Sequence, residues 1–147
     1  MNNKKTKVLL ISIFFIIFFC IVLINNNSGK KNFFSARCIK VIDGEKIVVW
    51  LDGRWFNNRL KVKLYGIKAS DRNTDIGKKA RYFVISQISG KLIKIRLINK
   101  KLWGWSSAVV YYNGLCLNEQ LIKNKLAIFD SEKSEKNIFK IWNMESE

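Results

Sequence analysis

The first 34 positions divide into three parts by polarity. A continuous apolar run occupies residues 8–24, after a basic N-terminus at residues 1–7 and before a polar stretch at residues 25–34. The run is at the short end for a membrane-spanning helix, and no small-residue motif for signal cleavage follows it. We therefore predict an uncleaved transmembrane anchor followed by a linker, with a cleaved signal segment as the alternative.

Lysines on the N-terminal side of the apolar run predict its orientation. Lys4, Lys5 and Lys7 precede the run, and basic residues are enriched on the cytoplasmic side of membrane-spanning helices. We therefore expect a single-pass membrane protein with a cytoplasmic N-terminus and an exported domain. If the run is instead a cleaved signal, the mature protein is secreted.

From Ser35 onward, apolar and polar residues alternate as they do in half-buried strands, and helical spacing replaces this alternation in three places. The predicted strands are 37–42, 47–51, 60–65, 91–98 and 107–112, and the predicted helices are 76–88, 117–126 and 131–142. Five strands with a helix between the third and fourth are the layout of an OB-fold barrel. The sequence therefore predicts an α+β, mainly β domain at 35–129, followed by a C-terminal helix and tail at 130–147.

The absence of His restricts the chemistry that this chain can perform. Imidazole bases, His-ligated zinc and Ser-His or Cys-His nucleophile pairs are excluded, so catalysis must use carboxylates, Lys, Arg, Tyr or Cys. The three Cys residues show no Cys-x-x-Cys spacing, and the sequence does not predict a zinc site. Cys38 and Cys116 could form a disulfide in an exported domain, or remain as two thiols.

The net charge of +16 is large for 147 residues. Such a charge favours anionic partners, namely nucleic acid, acidic lipid or acidic polysaccharide. The chain is also rich in Lys, Ile, Asn and Phe and lacks Pro, a composition typical of drift toward AT-rich codons, which adds Lys without a binding purpose. Under both interpretations the positive charge of the chain produces an electrostatic field that attracts polyanions. The sequence contains no evident motif for binding a small-molecule substrate.

Three motifs of the domain have a distinctive order and spacing. The stretch 40–48 reads KVIDGEKIV, the stretch 63–71 reads KLYGIKASD, and the stretch 111–127 carries Tyr, Gly, Asn, Leu and Leu-Ala at defined intervals. Together they resemble the staphylococcal nuclease (thermonuclease-like) family, and the resemblance covers about Ser35 to Phe129. It implies an OB-fold barrel with three helices and an ancestral metal-dependent hydrolysis of DNA and RNA phosphodiester bonds.

The resemblance also implies a metal site whose ligands are altered in this chain. Glu45 stands where the family has a metal-binding aspartate, and it keeps a carboxylate. Lys68 stands at the second metal-binding aspartate, so the charge there is reversed, while Ala69 can still offer a backbone carbonyl. An ammonium at Lys68 would repel a divalent cation, or could pair with a nearby carboxylate in its place. We therefore expect no cofactor, and Ca²⁺ only if the ancestral site still works.

The catalytic positions that the resemblance implies are altered as well. Lys63 replaces an arginine and loses its bidentate fork, Asp71 replaces the catalytic glutamate, and Trp105 replaces a second arginine. Each position also has a structural interpretation: Asp71 could start a helix, and Trp105 could pack against the barrel. The sequence therefore predicts a divergent member of the family with a degraded active site.

We expect the domain to bind nucleic acid or another polyanion with weak or lost phosphodiesterase activity. The candidate contacts are two lysines and two tryptophans, namely Lys61, Lys63, Trp103 and Trp105, of which the lysines could also be ordinary solvent-facing residues. One alternative is an active, divergent Ca²⁺-dependent nuclease, and another is a membrane-tethered structural or interaction domain. The resemblance also implies a glycine at Lys125, so we expect left-handed backbone there.

Overall fold

The computed structural model describes residues 33–52, 59–101, 103–130, 132 and 135–142. The apolar run at 8–24 lies outside these residues, so the anchor and signal interpretations both stay predictions. Within the ranges just given, no helix is both long enough and apolar enough to cross a membrane.

The described residues form eight strands and three helices. The long strands are β1 (Phe33–Val41), β2 (Lys46–Leu51), β3 (Arg59–Leu64), β5 (Leu92–Asn99) and β6 (Ser106–Tyr112). Three short strands are β4 (Ile67–Ala69), β7 (Leu115–Cys116) and β8 (Ala127–Phe129), and the helices are α1 (Asp75–Ile88), α2 (Leu117–Lys123) and α3 (Glu135–Trp142). The five predicted strands and three predicted helices are confirmed within a few residues, except that the predicted start of the third helix, at residue 131, lies outside the described residues.

The five long strands close into a barrel. Antiparallel pairing gives the order β3-β2-β1-β5-β6, and β3 pairs with β6 in parallel to close the ring. This is the OB-fold topology that the sequence predicted. β1 carries a bulge between Cys38 and Lys40, so Cys38 and Val41 both point into the barrel.

The inward residues of the barrel strands form the core, which α1 covers at one end. Val62 and Ile95 are fully buried, as are Val84 and Ile88 of α1. Ile and Val make up much of this core, and their burial contributes to the stability of the domain.

The start of α1 is held against the preceding loop. Thr74 caps the helix by accepting a hydrogen bond from the Gly77 backbone N–H at 3.0 Å. A Cβ atom at position 77 would overlap the carbonyl oxygen of Asp71. Gly77 therefore allows the loop to lie directly on the first turn of the helix.

The end of α2 confirms the expectation of left-handed backbone at Lys125, whose φ is 57°. The backbone N–H of Lys125 donates to the Ile122 carbonyl at 2.9 Å, and that of Leu126 donates to the Leu121 carbonyl at 2.9 Å. These two bonds form a Schellman motif, which usually has glycine at the left-handed position.

Helix α3 packs against the barrel and adds two large side chains to the core. Ile138 and Trp142 are 0% and 1% exposed. The rings of Trp142 and Phe129 stack at 5.9 Å between centroids, and the Tyr111 hydroxyl donates to the Trp142 carbonyl at 3.0 Å. The core therefore extends beyond residue 129, where the sequence predicted the end of the domain.

Candidate active site and nucleic-acid interface

The turn between β1 and β2 positions the first candidate ligand, Glu45. The Asp43 carboxylate accepts hydrogen bonds from the backbone N–H groups of Glu45 at 2.9 Å and Lys46 at 2.7 Å, which fixes the turn. Gly44 lies against α1, because a Cβ atom there would be 2.6 Å from the Ala80 Cβ. The turn is thus fixed by the hydrogen bonds to Asp43 and by its packing against α1. The Glu45 side chain points inward, and 8% of the residue is exposed.

The Glu45 carboxylate is surrounded by cationic and N–H groups of this chain. Its Oε1 atom lies 3.4 Å from Lys63 Nζ and 3.6 Å from Lys46 Nζ. Its Oε2 atom accepts a hydrogen bond of 3.0 Å from the Ala69 backbone N–H. The structure therefore brings Lys63 and Ala69 into contact with Glu45, and Ala69 contributes its N–H and not the carbonyl that the resemblance suggested.

Lys46 is a member of this cluster that the sequence did not single out. Its amine lies 3.3 Å from the Asp43 carboxylate as well as near Glu45. Partial burial alone would lower the pKa of Lys46, but the hydrogen bond and the charge of Asp43, together with Glu45, outweigh that effect and raise the pKa above its ordinary value. Lys46 is therefore held in its charged form beside the carboxylate.

Lys68 lies on the exposed side of β4 and does not take part in this cluster. β4 pairs with β8, with Lys68 opposite Ile128. Among the residues that the structure describes, no carboxylate lies within ion-pair distance of the Lys68 amine. The alternative in which Lys68 pairs with Glu45 or Asp71 is not observed among the described residues, and Lys63 and Lys46 provide the positive charge at Glu45 instead.

Asp71 is exposed and organises the loop before α1. Its carboxylate accepts a hydrogen bond from the Asn73 backbone N–H at 2.8 Å, and its carbonyl accepts one from the Thr74 hydroxyl at 2.7 Å. Asp71 and Lys68 line an open cavity of about 330 Å³, of which Glu45 and Lys63 are not lining residues. The carboxylates of Glu45 and Asp71 thus belong to two different surroundings.

A basic and aromatic surface covers the outside of β2, β3 and the start of β6. Lys61 and Lys63 point outward from β3 on either side of buried Val62. The Lys61 amine lies 6.0 Å from the ring centroid of Trp105, which is half-buried, and Trp103 is 90% exposed. The structure therefore brings Lys61 and Trp105 together and leaves the Trp103 ring open to solvent.

The sheet register adds three residues that the sequence did not indicate. Trp50 of β2 is opposite Arg37 of β1 on one side and Arg59 of β3 on the other. Trp50 is 41% exposed and lies on the same outer surface as Lys61. Two cations therefore flank an accessible aromatic ring, an arrangement that suits stacking against a base beside its phosphates.

The donors at Glu45 differ from those that a calcium ion requires. Ca²⁺ takes six to eight oxygen ligands, whereas the Glu45 carboxylate faces two ammonium groups and one N–H. Within the described ranges, no three acidic or Cys residues are grouped closely enough to hold a metal ion. The residues present around Glu45 do not fit a calcium ion.

Comparison with known proteins finds distant similarity to nucleases. No family profile matches the chain. The chain is 28% identical over 81 residues to the probable staphylococcal-like nuclease CAN2 of Oryza sativa subsp. japonica, and 27% identical over 81 residues to the probable staphylococcal-like nuclease CAN3 of the same plant. The matched region is 55% of this chain and 22% of each relative, so the chain spans less than a quarter of their length. With the closed five-stranded barrel, this similarity supports a divergent staphylococcal-nuclease-like domain.

Proposed function

We propose that this domain binds nucleic acid, or a similar polyanion, on the outer surface of β2, β3 and the start of β6, and that its phosphodiesterase activity is weak or lost. The observation that carries the proposal is the Lys61 amine over the Trp105 ring, next to Lys63 on the same face of β3. Lysines on such a surface contact phosphates, and tryptophans provide stacking surfaces for bases of any sequence. The net charge of +16 strengthens the attraction.

The contacts of Glu45 support weak or lost catalysis. Lys63 and Lys46 neutralise the carboxylate internally, so Lys63 is not free to clamp a substrate phosphate without breaking an ion pair. Trp105 carries no charge where the resemblance implies an arginine. Removing one group that stabilises transition-state charge typically costs about 10²–10³ in rate, so these changes together should abolish most activity.

Binding is tested with the full-length chain in a non-ionic detergent and a fluorescent single-stranded oligonucleotide. We expect the logarithm of affinity to fall with the logarithm of salt concentration, with a slope of about −0.7 per contacted phosphate. Lys61→Gln and Trp105→Ala should weaken binding, whereas Lys136→Gln, on the exposed side of α3, removes the same charge elsewhere and should have a small effect. Binding that is insensitive to salt, or equally weakened by all three changes, would contradict the proposal.

The loss of catalysis is tested by restoring the groups that the resemblance implies. The triple change Lys63→Arg, Lys68→Asp and Trp105→Arg should create Ca²⁺-dependent cleavage, and the single changes should do little, because residues that act as a unit are strongly non-additive. Robust Ca²⁺-dependent cleavage by the unmodified chain would refute the proposed loss of activity.

The similarity to two probable nucleases favours a second candidate, an active and divergent Ca²⁺-dependent nuclease. In that case the unmodified chain would cleave the oligonucleotide, and Asp71→Asn would abolish the cleavage. A third possibility, a membrane-tethered structural or interaction domain, predicts no oligonucleotide binding near physiological salt. The binding and cleavage assays therefore separate all three functions.

We also propose that residues 8–24 anchor the chain in a membrane, with the domain exported. The support is the uninterrupted apolar run and the lysines that precede it. Alkaline carbonate extraction should leave the full-length chain in the membrane pellet. A soluble form that begins after residue 25 would instead establish cleavage and secretion.

A further inference from the structure

A cationic cavity lies between the end of β1 and the first half of α1, apart from the cluster around Glu45. Its volume is about 390 Å³, within the range of ligand cavities. It is lined by four basic residues and one aromatic residue that bear on its chemistry, namely Lys40, Arg72, Lys78, Arg81 and Tyr82. No acidic side chain is among its lining residues.

The basic groups of this cavity are available to an anion. Arg81 donates from Nε to the Ile42 carbonyl at 3.2 Å, which orients its guanidinium and leaves its two terminal nitrogens for other partners. Lys78 lies 3.8 Å from the Asp75 carboxylate, but that carboxylate is 93% exposed and such a pair is weak. In the described part of the chain, no carboxylate lies within 4 Å of the cations of Lys40, Arg72 or Arg81.

These groups suit a phosphate that carries more than one negative charge. Guanidinium groups bind phosphate oxygens with two parallel hydrogen bonds, and lysine amines add point charges. A terminal phosphate has a charge of about −1.5 to −2 at neutral pH, whereas a phosphodiester has a single charge. Tyr82 is 66% exposed beside the cations and offers a ring on which the adjoining base can stack.

The sheet register connects this cavity to the proposed nucleic-acid surface. Lys40 of β1 is opposite Val48 of β2, Val48 is opposite Lys61 of β3, and the Lys61 amine lies over Trp105. This row crosses three strand spacings, roughly 14 Å in total. A single strand lying across the row, perpendicular to the β-strands, would extend from Trp105 to the cavity.

We propose that the cavity binds the terminal phosphate of a single-stranded nucleic acid whose preceding nucleotides lie on the surface at Lys61 and Trp105. The proposal rests on the proposed function for the path of the strand, but the cavity itself is a phosphate site independently of that path. Its ligand is thus a phosphomonoester attached to a nucleotide, at one end of the strand.

The experiment compares one oligonucleotide sequence with a 5′-phosphate, a 3′-phosphate or hydroxyl at both ends, by fluorescence anisotropy on the full-length chain in a non-ionic detergent. One of the phosphorylated forms should bind about tenfold more tightly than the hydroxyl form, the size expected for one added charge-assisted contact. Arg81→Gln and Arg72→Gln should remove this preference, and Lys136→Gln should keep it. Arg72 is exposed, so its change tests the cavity even if Arg81→Gln disturbs the contact with Ile42.

A parallel titration with adenosine 5′-monophosphate separates this proposal from the proposed function. If the hydroxyl oligonucleotide fails to bind but the mononucleotide binds in a manner that depends on Arg72, the surface at Trp105 is wrong and the cavity stands as a phosphate site. If all three oligonucleotides bind equally, or if the preference survives both arginine changes, the terminal-phosphate site is refuted while the proposed function remains intact.

Discussion

Lys125 gives a sharp test of the backbone at the end of α2. Its φ of 57° lies in the left-handed region, where a side chain costs about 1–2 kcal/mol. Glycine removes that cost but loses about 0.5–1 kcal/mol of backbone entropy on folding. Lys125→Gly should therefore stabilise the domain by about 0.5–1 kcal/mol. For a domain of this size, the melting temperature should rise by about 2–8 °C.

A matched change elsewhere separates backbone strain from loss of charge. Lys79 is an exposed lysine inside α1, so Lys79→Gly alters the charge identically in a helix interior and should cost about 1 kcal/mol. The effects of Lys125→Gly and Lys79→Gly on stability are both measured by thermal unfolding, followed by circular dichroism, and by urea unfolding of the same proteins. If Lys125→Gly lowers the melting temperature, or if both changes shift it in the same direction, the strain argument is wrong.

Three further predictions follow from buried or paired groups. Asn118→Ala should lower the free energy of unfolding by about 1–3 kcal/mol in urea titrations, because the buried amide accepts from the Val110 N–H at 3.1 Å and donates to the Tyr65 carbonyl at 2.9 Å. Burial raises the pKa of Cys38 from 9.0 to about 11, a backbone hydrogen bond at Lys40 acting in the opposite direction. Cys38 therefore keeps its proton to a higher pH in the folded state than in the unfolded state. The free energy of unfolding should fall as pH rises from about 9 to 11, and it should fall less steeply in the Cys38→Ala variant. Glu45→Gln keeps an acceptor for the Ala69 N–H but releases Lys63 from its ion pair, whereas Lys46 keeps its contact with Asp43. Oligonucleotide affinity and the magnitude of its salt slope should therefore both increase.

The long strands and helices were predictable because the hydrophobic pattern repeats several times along each of them. β5 alternates over eight residues, and α1 places Ala80, Val84 and Ile88 on one buried face. The three short strands were missed, since two or three residues do not establish a period. The β1 bulge was missed for a related reason: it replaces strict alternation by two outward residues between Cys38 and Val41.

For the candidate site, only the resemblance indicated which residues lie near one another in space. It assigned Glu45, Lys63 and Ala69 to one site, and in the structure Lys63 and the Ala69 N–H both contact the Glu45 carboxylate. Lys46 was missed because the resemblance gives no role to its position, although its spacing of three residues from Asp43 was a usable signal. The flanking of Trp50 by two arginines depends on strand register, which the sequence of one strand does not reveal.

The packing of α3 has a consequence for the order of events during synthesis. Ile138 and Trp142 belong to the core, yet they follow the last barrel strand along the chain. A nascent chain that has emerged only to Phe129 has all the strands that the structure describes but still exposes the apolar surface that α3 covers. Because domains fold as units, we expect the complete core to form only after residue 142 has left the ribosome.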